Sequence, residues 1–493
     1  MIMSWRIKNY KIFYIICFLP IIIYTACNRI GVLFIILSSN TNSKVADGGR
    51  MENIMGLFFG TDGIRGIVNE DLGFEVAFKC GNALSTVKSH PTVLIGRDTR
   101  ISGEYLTHAV TLGVMSGGGN VIDMGVMPTA AVAYLTKNIR ADFGVVISAS
   151  HNPREYNGIK VFGSDGYKLS DKDEERLERC FINTRISGFP NIGRSRTGYG
   201  LYKRYVRFLV GLSKNRFDGI RVVLDTANGA AYKIAPAVFR ALGADVVAIN
   251  SKNDGMKINV ESGALNPEGL AKRMKKYGAD IGFAFDGDAD RLITVLPDGR
   301  VIDGDMMLYM LAAHFKREGR LSADAVVGTS HTNMAIEHAL GRLGIKLVRA
   351  DVGDKYVLAK LLDLGLNLGA EQSGHIIIKD FHTTGDGILS AISILNMMKD
   401  EQKTLAELMD IELYPQVNLN VTVSDKLKIM NNQGLANAIS HHQKELGGHG
   451  RIMVRASGTE PKIRIMVEGD NDSLNQSIAE ELAEIIKAIE LDA

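Results

Sequence analysis

Three parts of the chain repeat one order of elements, and this repetition constrains the fold more than any other feature. In each part an apolar strand ends in polar residues, a helical stretch follows, and a second strand comes next. The first strands lie at 93–98, 221–229 and 325–333, and the second strands lie at 120–125, 245–250 and 345–350. Such alternation is typical of sheets covered by helices on both faces. We therefore predict three α/β domains on one plan, although an α/β protein without internal repeats also contains such units.

The chain after Pro415 has a different pattern, which predicts a small α+β domain. Its strands are expected at 417–423, 451–457 and 462–468, with helical stretches between and after them. A chain of 493 residues is also too long for one core. The predicted fold class is therefore α/β, with three similar domains of mixed sheets with helices on both faces, followed by the α+β domain. The predicted boundaries are 51–204, 205–305, 306–414 and 415–493.

Residues 1–50 differ from the rest and are predicted to be an N-terminal extension. Three basic residues precede the apolar stretch 12–27, an order that resembles a secretion signal. Met51 lies just before the folded pattern begins, so a start site assigned too far upstream is the alternative interpretation.

The composition excludes some classes of partner. The net charge of +2 provides no basic excess that would attract nucleic acid. The 4 cysteines show no CxxC or metal-type spacing, which indicates a reducing compartment without a disulfide framework. We expect a cytoplasmic protein that binds a small molecule, without nucleic acid and without stable membrane association, and a second copy of the chain as a possible partner.

An acidic cluster follows the apolar strand 281–285. Asp286, Asp288 and Asp290 are separated by single small residues, and carboxylates so spaced repel one another unless a cation lies among them. Such a set suits a hard divalent ion such as Mg²⁺. An EF-hand loop is excluded, because its sixth and twelfth positions would be Arg291 and Pro297 instead of Gly and Glu. An acidic turn between two strands is the alternative.

Three further loops carry groups that suit an anion or a sugar. In the loop 455–464, Arg455 and Arg464 lie on the two flanking strands and can converge on one phosphate, although a plain hairpin with surface arginines has the same pattern. The loop 369–375 follows an apolar strand expected at 364–368, and its Glu, Ser and His offer polar groups to a polyol, although a polar loop with a helix cap has the same pattern. Arg65 lies among glycines at 59–66, where either an anion site or a structural turn is expected.

The loop SASHNP, residues 148–153, ends the apolar strand 143–147, at the edge of the sheet where ligands commonly bind. It is not the GxSxG turn of a hydrolase, and His151 is adjacent to Ser150, so the two side chains diverge. The alternatives are a structural loop and a serine that carries a phosphoryl group. A phosphoryl carrier needs a metal, a second phosphate site and a group that handles the hydroxyl proton. The acidic cluster, the arginine loop, and Lys160 or His375 supply these.

Taken together, the motifs resemble those of the phosphohexomutase superfamily. The resemblance runs in order through FGTDGIRG, GRDTRISG, SASHNP, DGDADR, EQSGH and RASGTEPKIR, and it covers essentially residues 56–493. It implies four domains in a heart-shaped arrangement around one cleft. Within the superfamily the chain is most similar to the members that act on glucosamine phosphates, and the Gln of EQSGH is one of the features that carry this similarity.

The resemblance also implies a role for each site residue. Ser150 would be a phosphoserine that converts glucosamine 6-phosphate into glucosamine 1-phosphate through glucosamine 1,6-bisphosphate. One Mg²⁺ per subunit would be held by the phosphate on Ser150 and by the three aspartates. Lys160 and His375 would serve as general acid or base, and Arg65 would lie near the moving phosphoryl group. Glu371 and Ser373 would bind sugar hydroxyls. The phosphate that does not react would be bound by Arg455, Ser457, Gly458, Thr459 and Arg464.

Overall fold

The computed structural model describes residues 2–7, 10–15, 59–60, 62–181, 184, 186–188, 191–457 and 460–491. Strands β1 (Ile2–Ile7) and β2 (Tyr10–Ile15) pair as an antiparallel hairpin within a unit, Met1–Ile54, that is separate from Met55–Ala493. Most of the signal-like stretch 12–27 lies outside the described residues, so its interpretation stays a prediction. None of the helices in the described part has the length and apolar character needed to cross a membrane.

The first sheet of the larger unit has six strands in the order β3-β7-β6-β4-β5-β8. Its elements are β3 (Ile64–Ile67), α1 (Phe74–Val87), β4 (Thr92–Arg97), α2 (Ser102–Ser116), β5 (Asn120–Val126), α3 (Thr129–Asn138), β6 (Phe143–Ile147), β7 (Tyr156–Gly163), α4 (Asp171–Phe181) and β8 (Ser195–Thr197). The sheet is mixed, because β7 is antiparallel to both β3 and β6 while β4 is parallel to β5 and β6. Every residue of β6 is buried, which explains its continuous apolar run.

The second sheet has five strands in the order β10-β9-β11-β12-β13. Its elements are α5 (Tyr202–Leu212), β9 (Arg221–Asp225), α6 (Ile234–Ala241), β10 (Asp245–Ile249), α7 (Glu268–Tyr277), β11 (Ile281–Phe285), β12 (Leu292–Val295) and β13 (Val301–Ile302). Strand β9 is parallel to β10 and to β11. The polar residues after β9 and after β11 therefore meet at the same edge of the sheet.

The third sheet has four strands in the order β15-β14-β16-β17. Its elements are α8 (Gly304–Arg317), β14 (Ala325–Thr329), α9 (Met334–Arg342), β15 (Lys346–Ala350), α10 (Asp354–Asp363), β16 (Leu368–Ala370), β17 (Ile376–Ile378), α11 (Gly387–Glu401) and α12 (Leu405–Leu408). The strand expected at 364–368 is wrong. Residues 364–365 form the turn after α10, where Gly365 has a φ of 65°, and the strand begins only at Leu368.

The last sheet has three antiparallel strands in the order β18-β20-β19. Its elements are β18 (Gln416–Thr422), α13 (Lys426–Met430), α14 (Gln433–Leu446), β19 (Gly450–Ala456), β20 (Lys462–Gly469) and α15 (Asp472–Leu491). The predicted α/β fold class with a C-terminal α+β domain is confirmed by these four sheets. The exact domain boundaries stay a prediction.

Candidate active site

Ser150 lies in the turn after β6, where its hydroxyl group faces the acidic cluster of the second domain. Its side chain is buried, and its Oγ donates a hydrogen bond to Asp286 Oδ2 at 2.6 Å. Its backbone N–H donates to Ser148 Oγ at 2.9 Å. The φ of Ser150 is 52°, a left-handed conformation that is uncommon for a residue with a side chain and is often found at functional sites.

Arg100 holds the serine loop in place, and sequence reasoning missed it. Its guanidinium donates to the carbonyl oxygens of Ser150 at 3.0 Å, of Asn152 at 2.8 Å and of Tyr156 at 2.9 Å. It also pairs with Asp98 at 2.9 Å, and both side chains are fully buried. The signal in the sequence was an arginine in the polar run after β4, the strand next to β6. The hydrogen bonds of Arg100 stabilise the unusual backbone around Ser150.

The three aspartates form a cluster that fits a divalent cation. Asp286, Asp288 and Asp290 each place one carboxylate oxygen within 4.8 Å of the others, and all three are buried. In the described structure, the Oδ1 atoms of Asp288 and Asp290 are buried and accept no hydrogen bond. Burial and the charges of Asp290 and Asp288 raise the pKa of Asp286 well above its ordinary value. A Cβ atom at Gly287 would lie 2.5 Å from the carbonyl oxygen of Ser150, so the loop requires glycine at this contact.

Lys160, on β7, brings a cation into this cluster. Its Nζ lies 2.9 Å from Asp288 Oδ2, 3.2 Å from Asp62 Oδ2 and 3.5 Å from Asp290 Oδ2. Burial opposes the charge, but the carboxylates of Asp288, Asp62 and Asp290 outweigh it and raise the pKa of Lys160 well above the ordinary lysine value. The side chain is therefore an ammonium group at neutral pH.

His375 lies on the other side of Asp290. Its Nδ1 is 3.7 Å from Asp290 Oδ2, and its Nε2 accepts a hydrogen bond from the backbone N–H of Gly385 at 3.2 Å. In the neutral ring the proton is therefore on Nδ1. Burial lowers the pKa of His375, but Asp290, Asp354 and Glu371 have the larger combined effect and raise it above the ordinary histidine value.

The other predicted residues near this centre are Arg65, Glu371 and Ser373. The guanidinium of Arg65 pairs with Asp62 and donates to Asn152 Oδ1 at 3.3 Å, which places it beside the serine loop. Glu371 is largely buried and accepts a hydrogen bond from the backbone N–H of Gly353 at 2.9 Å, whereas Ser373 is exposed.

A second group of predicted residues lies on the C-terminal sheet. Arg455 and Arg464 are direct cross-strand partners on β19 and β20, and like charges in that position repel one another. Arg464 pairs with Glu460 at 2.9 Å, whereas no carboxylate of the described residues pairs with Arg455. Ser457 is buried, and its backbone N–H donates to the carbonyl of Lys462 at 2.9 Å. The predicted phosphate ligands Gly458 and Thr459 lie outside the described residues.

Lys426 adds a cation to this second group, and sequence reasoning missed it because it lies on α13, far from the motif. Its Nζ donates to the carbonyl oxygens of Ser457 at 2.6 Å and of Glu460 at 3.3 Å. Within the described part of the chain, no hydrogen bond or ion pair joins Arg455, Ser457 or Arg464 to the cluster around Ser150. The structure thus has two centres, one acidic with a serine and one basic.

Four sequence profiles of one family match this chain. They are phosphoglucomutase/phosphomannomutase alpha/beta/alpha domain I at residues 56–186, domain II at 202–299, domain III at 303–414 and the C-terminal domain at 419–485. The chain belongs to the phosphoglucomutase/phosphomannomutase family. It is a phosphohexomutase, an isomerase that moves a phosphoryl group, and the resemblance inferred from the motifs is confirmed.

The similar curated relatives narrow the class further, to phosphoglucosamine mutase. The enzyme of that name from Alkaliphilus oremlandii is 44% identical over 446 residues, which are 88% of this chain and 99% of the relative. The phosphoglucosamine mutase of Bacillus subtilis is 43% identical over 443 residues, with the same coverage.

Solved structures share the fold. A phosphoglucomutase/phosphomannomutase family protein from Burkholderia thailandensis matches with a TM-score of 0.74 and 25% identity, over 87% of this chain and 97% of that one. An N-acetylphosphoglucosamine mutase from Aspergillus fumigatus, solved in complex with GlcNAc-6P and magnesium, has a TM-score of 0.65 and 16% identity over 88% of this chain and 96% of that one.

Proposed function

We propose that this chain is a phosphoglucosamine mutase, which interconverts glucosamine 6-phosphate and glucosamine 1-phosphate through a phosphoserine at Ser150. The observation that carries the proposal is the buried Ser150 hydroxyl at 2.6 Å from Asp286, at the edge of a three-aspartate cluster. The relatives named phosphoglucosamine mutase, at 43–44% identity over nearly their full length, support the choice of sugar.

In the forward direction the phosphoryl group on Ser150 passes to O1 of glucosamine 6-phosphate. The bond between phosphorus and Ser150 Oγ breaks, a bond from phosphorus to the sugar O1 forms, and the hydroxyl proton goes to a base. The resulting glucosamine 1,6-bisphosphate then reorients. The bond between its 6-phosphorus and O6 breaks, a bond from that phosphorus to Ser150 Oγ forms, and the base returns its proton to O6, so that glucosamine 1-phosphate leaves. The bisphosphate is therefore both intermediate and activator.

We assign charge stabilisation to Lys160 and proton transfer to His375. Lys160 is an ammonium group among carboxylates, so it stabilises negative charge that develops on Ser150 Oγ as the phosphoryl group departs. His375 is buried, and its Nε2 accepts from the backbone N–H of Gly385, so a sugar hydroxyl must displace that contact and the ring must be neutral for this nitrogen to accept a proton. Arg65, beside the serine loop, stabilises charge on the moving group.

Asp286, Asp288 and Asp290, together with the phosphate on Ser150, would hold one Mg²⁺ per subunit. The buried Oδ1 atoms of Asp288 and Asp290, which accept no hydrogen bond among the described residues, support this assignment. When bound, the ion neutralises charge on the moving phosphoryl group, which is its usual contribution to such transfers.

The basic centre of the C-terminal domain is proposed to hold the phosphate that does not react. Arg455 has no carboxylate partner among the described residues and faces Arg464 across the sheet, an arrangement that a phosphate dianion would stabilise. Ser457 and the predicted ligands Gly458 and Thr459 belong to the same proposed site, and Glu371 and Ser373 are proposed to bind sugar hydroxyls. We place the protein in the cytoplasm, where sugar phosphates are made and consumed, and a homodimer is compatible with the proposal.

The experiment that tests the function is phosphorus NMR of the full chain with Mg²⁺ and a trace of glucosamine 1,6-bisphosphate. Glucosamine 6-phosphate, glucose 6-phosphate and mannose 6-phosphate are offered separately, and the Ser150→Ala variant is the control. Appearance of the 1-phosphate signal fastest with the glucosamine compound supports the proposal. Faster turnover of the glucose or mannose compound would make the protein a phosphoglucomutase or phosphomannomutase of the same family.

A further inference from the structure

A loop of the third domain docks onto the basic centre of the C-terminal domain, and no motif assigned it a role. The loop joins β14 to α9 and has His331 near its tip. Arg451, on β19, donates to the carbonyl oxygens on both sides of His331, to Ser330 at 2.6 Å and to Thr332 at 2.7 Å. These two hydrogen bonds fix the backbone of the loop against the sheet that carries the arginines.

Glu468 anchors the same contact from β20. Its side chain is fully buried, and its carboxylate accepts from the backbone N–H of Met334, the first residue of α9, at 2.6 Å. It also pairs with Arg451 at 3.3 Å. Breaking this contact is unfavourable, because it would leave an unpaired buried charge on Glu468.

The docked loop aims the His331 ring at Arg455. Nε2 of His331 lies 3.3 Å from a guanidinium nitrogen of Arg455, so the neutral ring accepts a hydrogen bond from it. This is the one polar side-chain contact that the structure gives Arg455 within the described residues. The arginine thus has only a neutral partner, which a phosphate dianion would displace because a charged acceptor binds guanidinium more strongly.

The charges around His331 favour the neutral ring while no anion is present. Burial lowers its pKa, and Arg455, Arg451 and Arg464 lower it further, against one opposing carboxylate, Glu468. A dianion bound between the arginines reverses this balance, since an opposite charge stabilises the imidazolium form.

We propose that His331 is a further substrate-binding residue, which takes up a proton from water when the non-reacting phosphate binds and then donates a hydrogen bond to that phosphate. The identity of the sugar phosphate in this proposal rests on the proposed function. The binding of a phosphate by His331 and the arginines does not. In this proposal the third domain supplies one ligand of the phosphate, so the bound phosphate contacts both the third and the C-terminal domain.

The kinetic test compares the wild type with His331→Gln, which keeps a donor but cannot be charged, and with His331→Lys, which carries a fixed charge. His338→Gln, a change of a histidine on α9 that contacts Tyr414, is the matched control. We expect His331→Gln to raise the KM for glucosamine 6-phosphate about tenfold at pH 7 with kcat nearly unchanged, because a contact made equally in ground and transition states affects KM alone.

The pH profile separates this role from a structural one. The ratio of the KM of His331→Gln to the KM of the wild type should fall towards one as the pH rises from 7 to 9, because the bound imidazolium then loses its proton. His331→Lys should recover most of the affinity without this pH dependence. Equal KM values for wild type and His331→Gln across this range, or a loss in both variants with no pH dependence, would overturn the proposal.

Calorimetric titration of the full chain with inorganic phosphate keeps the two proposals distinguishable. Buffers of different ionisation enthalpy report the protons taken up on binding. Tighter binding and greater proton uptake by the wild type than by His331→Gln support the role of His331, even if glucosamine 6-phosphate is not turned over. Equal affinity and equal uptake overturn it, even if the protein proves to be an active mutase.

Discussion

Replacing Ser150 by alanine tests the centre of the proposed mechanism. The change removes the hydroxyl oxygen that is proposed to carry the phosphoryl group and keeps the Cβ atom, so the left-handed backbone can be retained. We expect turnover of glucosamine 6-phosphate to fall by about 10⁴-fold or more, as when a covalent nucleophile is removed from other enzymes.

The effect on stability follows from the hydrogen bonds of the hydroxyl group. Among the described residues Ser150 Oγ makes one hydrogen bond, to Asp286 at 2.6 Å, and its loss leaves a buried carboxyl oxygen without that donor. Relative to the dephosphorylated wild type, whose hydroxyl makes this hydrogen bond, the expected cost is about 1–3 kcal/mol in the free energy of unfolding. Ser148→Ala is the matched control, since Ser148 Oγ donates to Asp98 at 2.6 Å and accepts from the backbone of Ser150 at 2.9 Å. It should be destabilised by at least as much and yet keep measurable turnover.

The assay combines initial rates, denaturant unfolding and mass spectrometry of the resting protein for a covalent phosphate. The wild type and Ser148→Ala should carry the phosphate on the peptide that contains residue 150, and Ser150→Ala should carry none there. Undiminished turnover by Ser150→Ala would refute the assignment. A phosphate found on Ser148 in the wild type would refute it as well.

Three further changes are expected to have separate effects. Asp288→Asn should raise the Mg²⁺ concentration needed for half-maximal activity more than tenfold, and it should also weaken the ion pair between residue 288 and Lys160. Activity titrations against Mg²⁺ after EDTA treatment measure the first effect. Burial and the nearby Asp303 raise the pKa of Asp305 to about 7, so the folded state holds a proton that the unfolded chain has already lost. Stability should therefore fall as the pH rises from about 4 to about 7, by up to about 1.4 kcal/mol per pH unit, and Asp305→Asn should flatten this slope in unfolding curves at several pH values. Glu468→Gln should cost about 3 kcal/mol because it removes the buried partner of Arg451, and a melting temperature equal to that of the wild type would contradict this.

The serine and the aspartates could be found from the sequence because each group is local. Asp286, Asp288 and Asp290 are neighbours in the chain, so their clustering at the end of β11 follows from covalent geometry once the strand is recognised. Arg455 and Arg464 could be paired in advance for the same reason, since a short loop joins their strands and fixes their register. The strand expected at 364–368 was wrong, because a strand of three residues has too few positions for periodicity to place its start.

The sequence by itself determined the order of strands and helices, the polar loops at the strand ends and the kinds of chemical group in each loop. These features depend on residues close together in the chain, whose spacing backbone geometry restricts. Only the tertiary structure decided that Lys160 lies beside Asp288, 128 residues further along the chain, that Arg100 holds the serine loop, and that His331 faces Arg455. Such contacts depend on how whole domains pack, because packing brings together surfaces whose residues carry no periodic relation to one another in the chain.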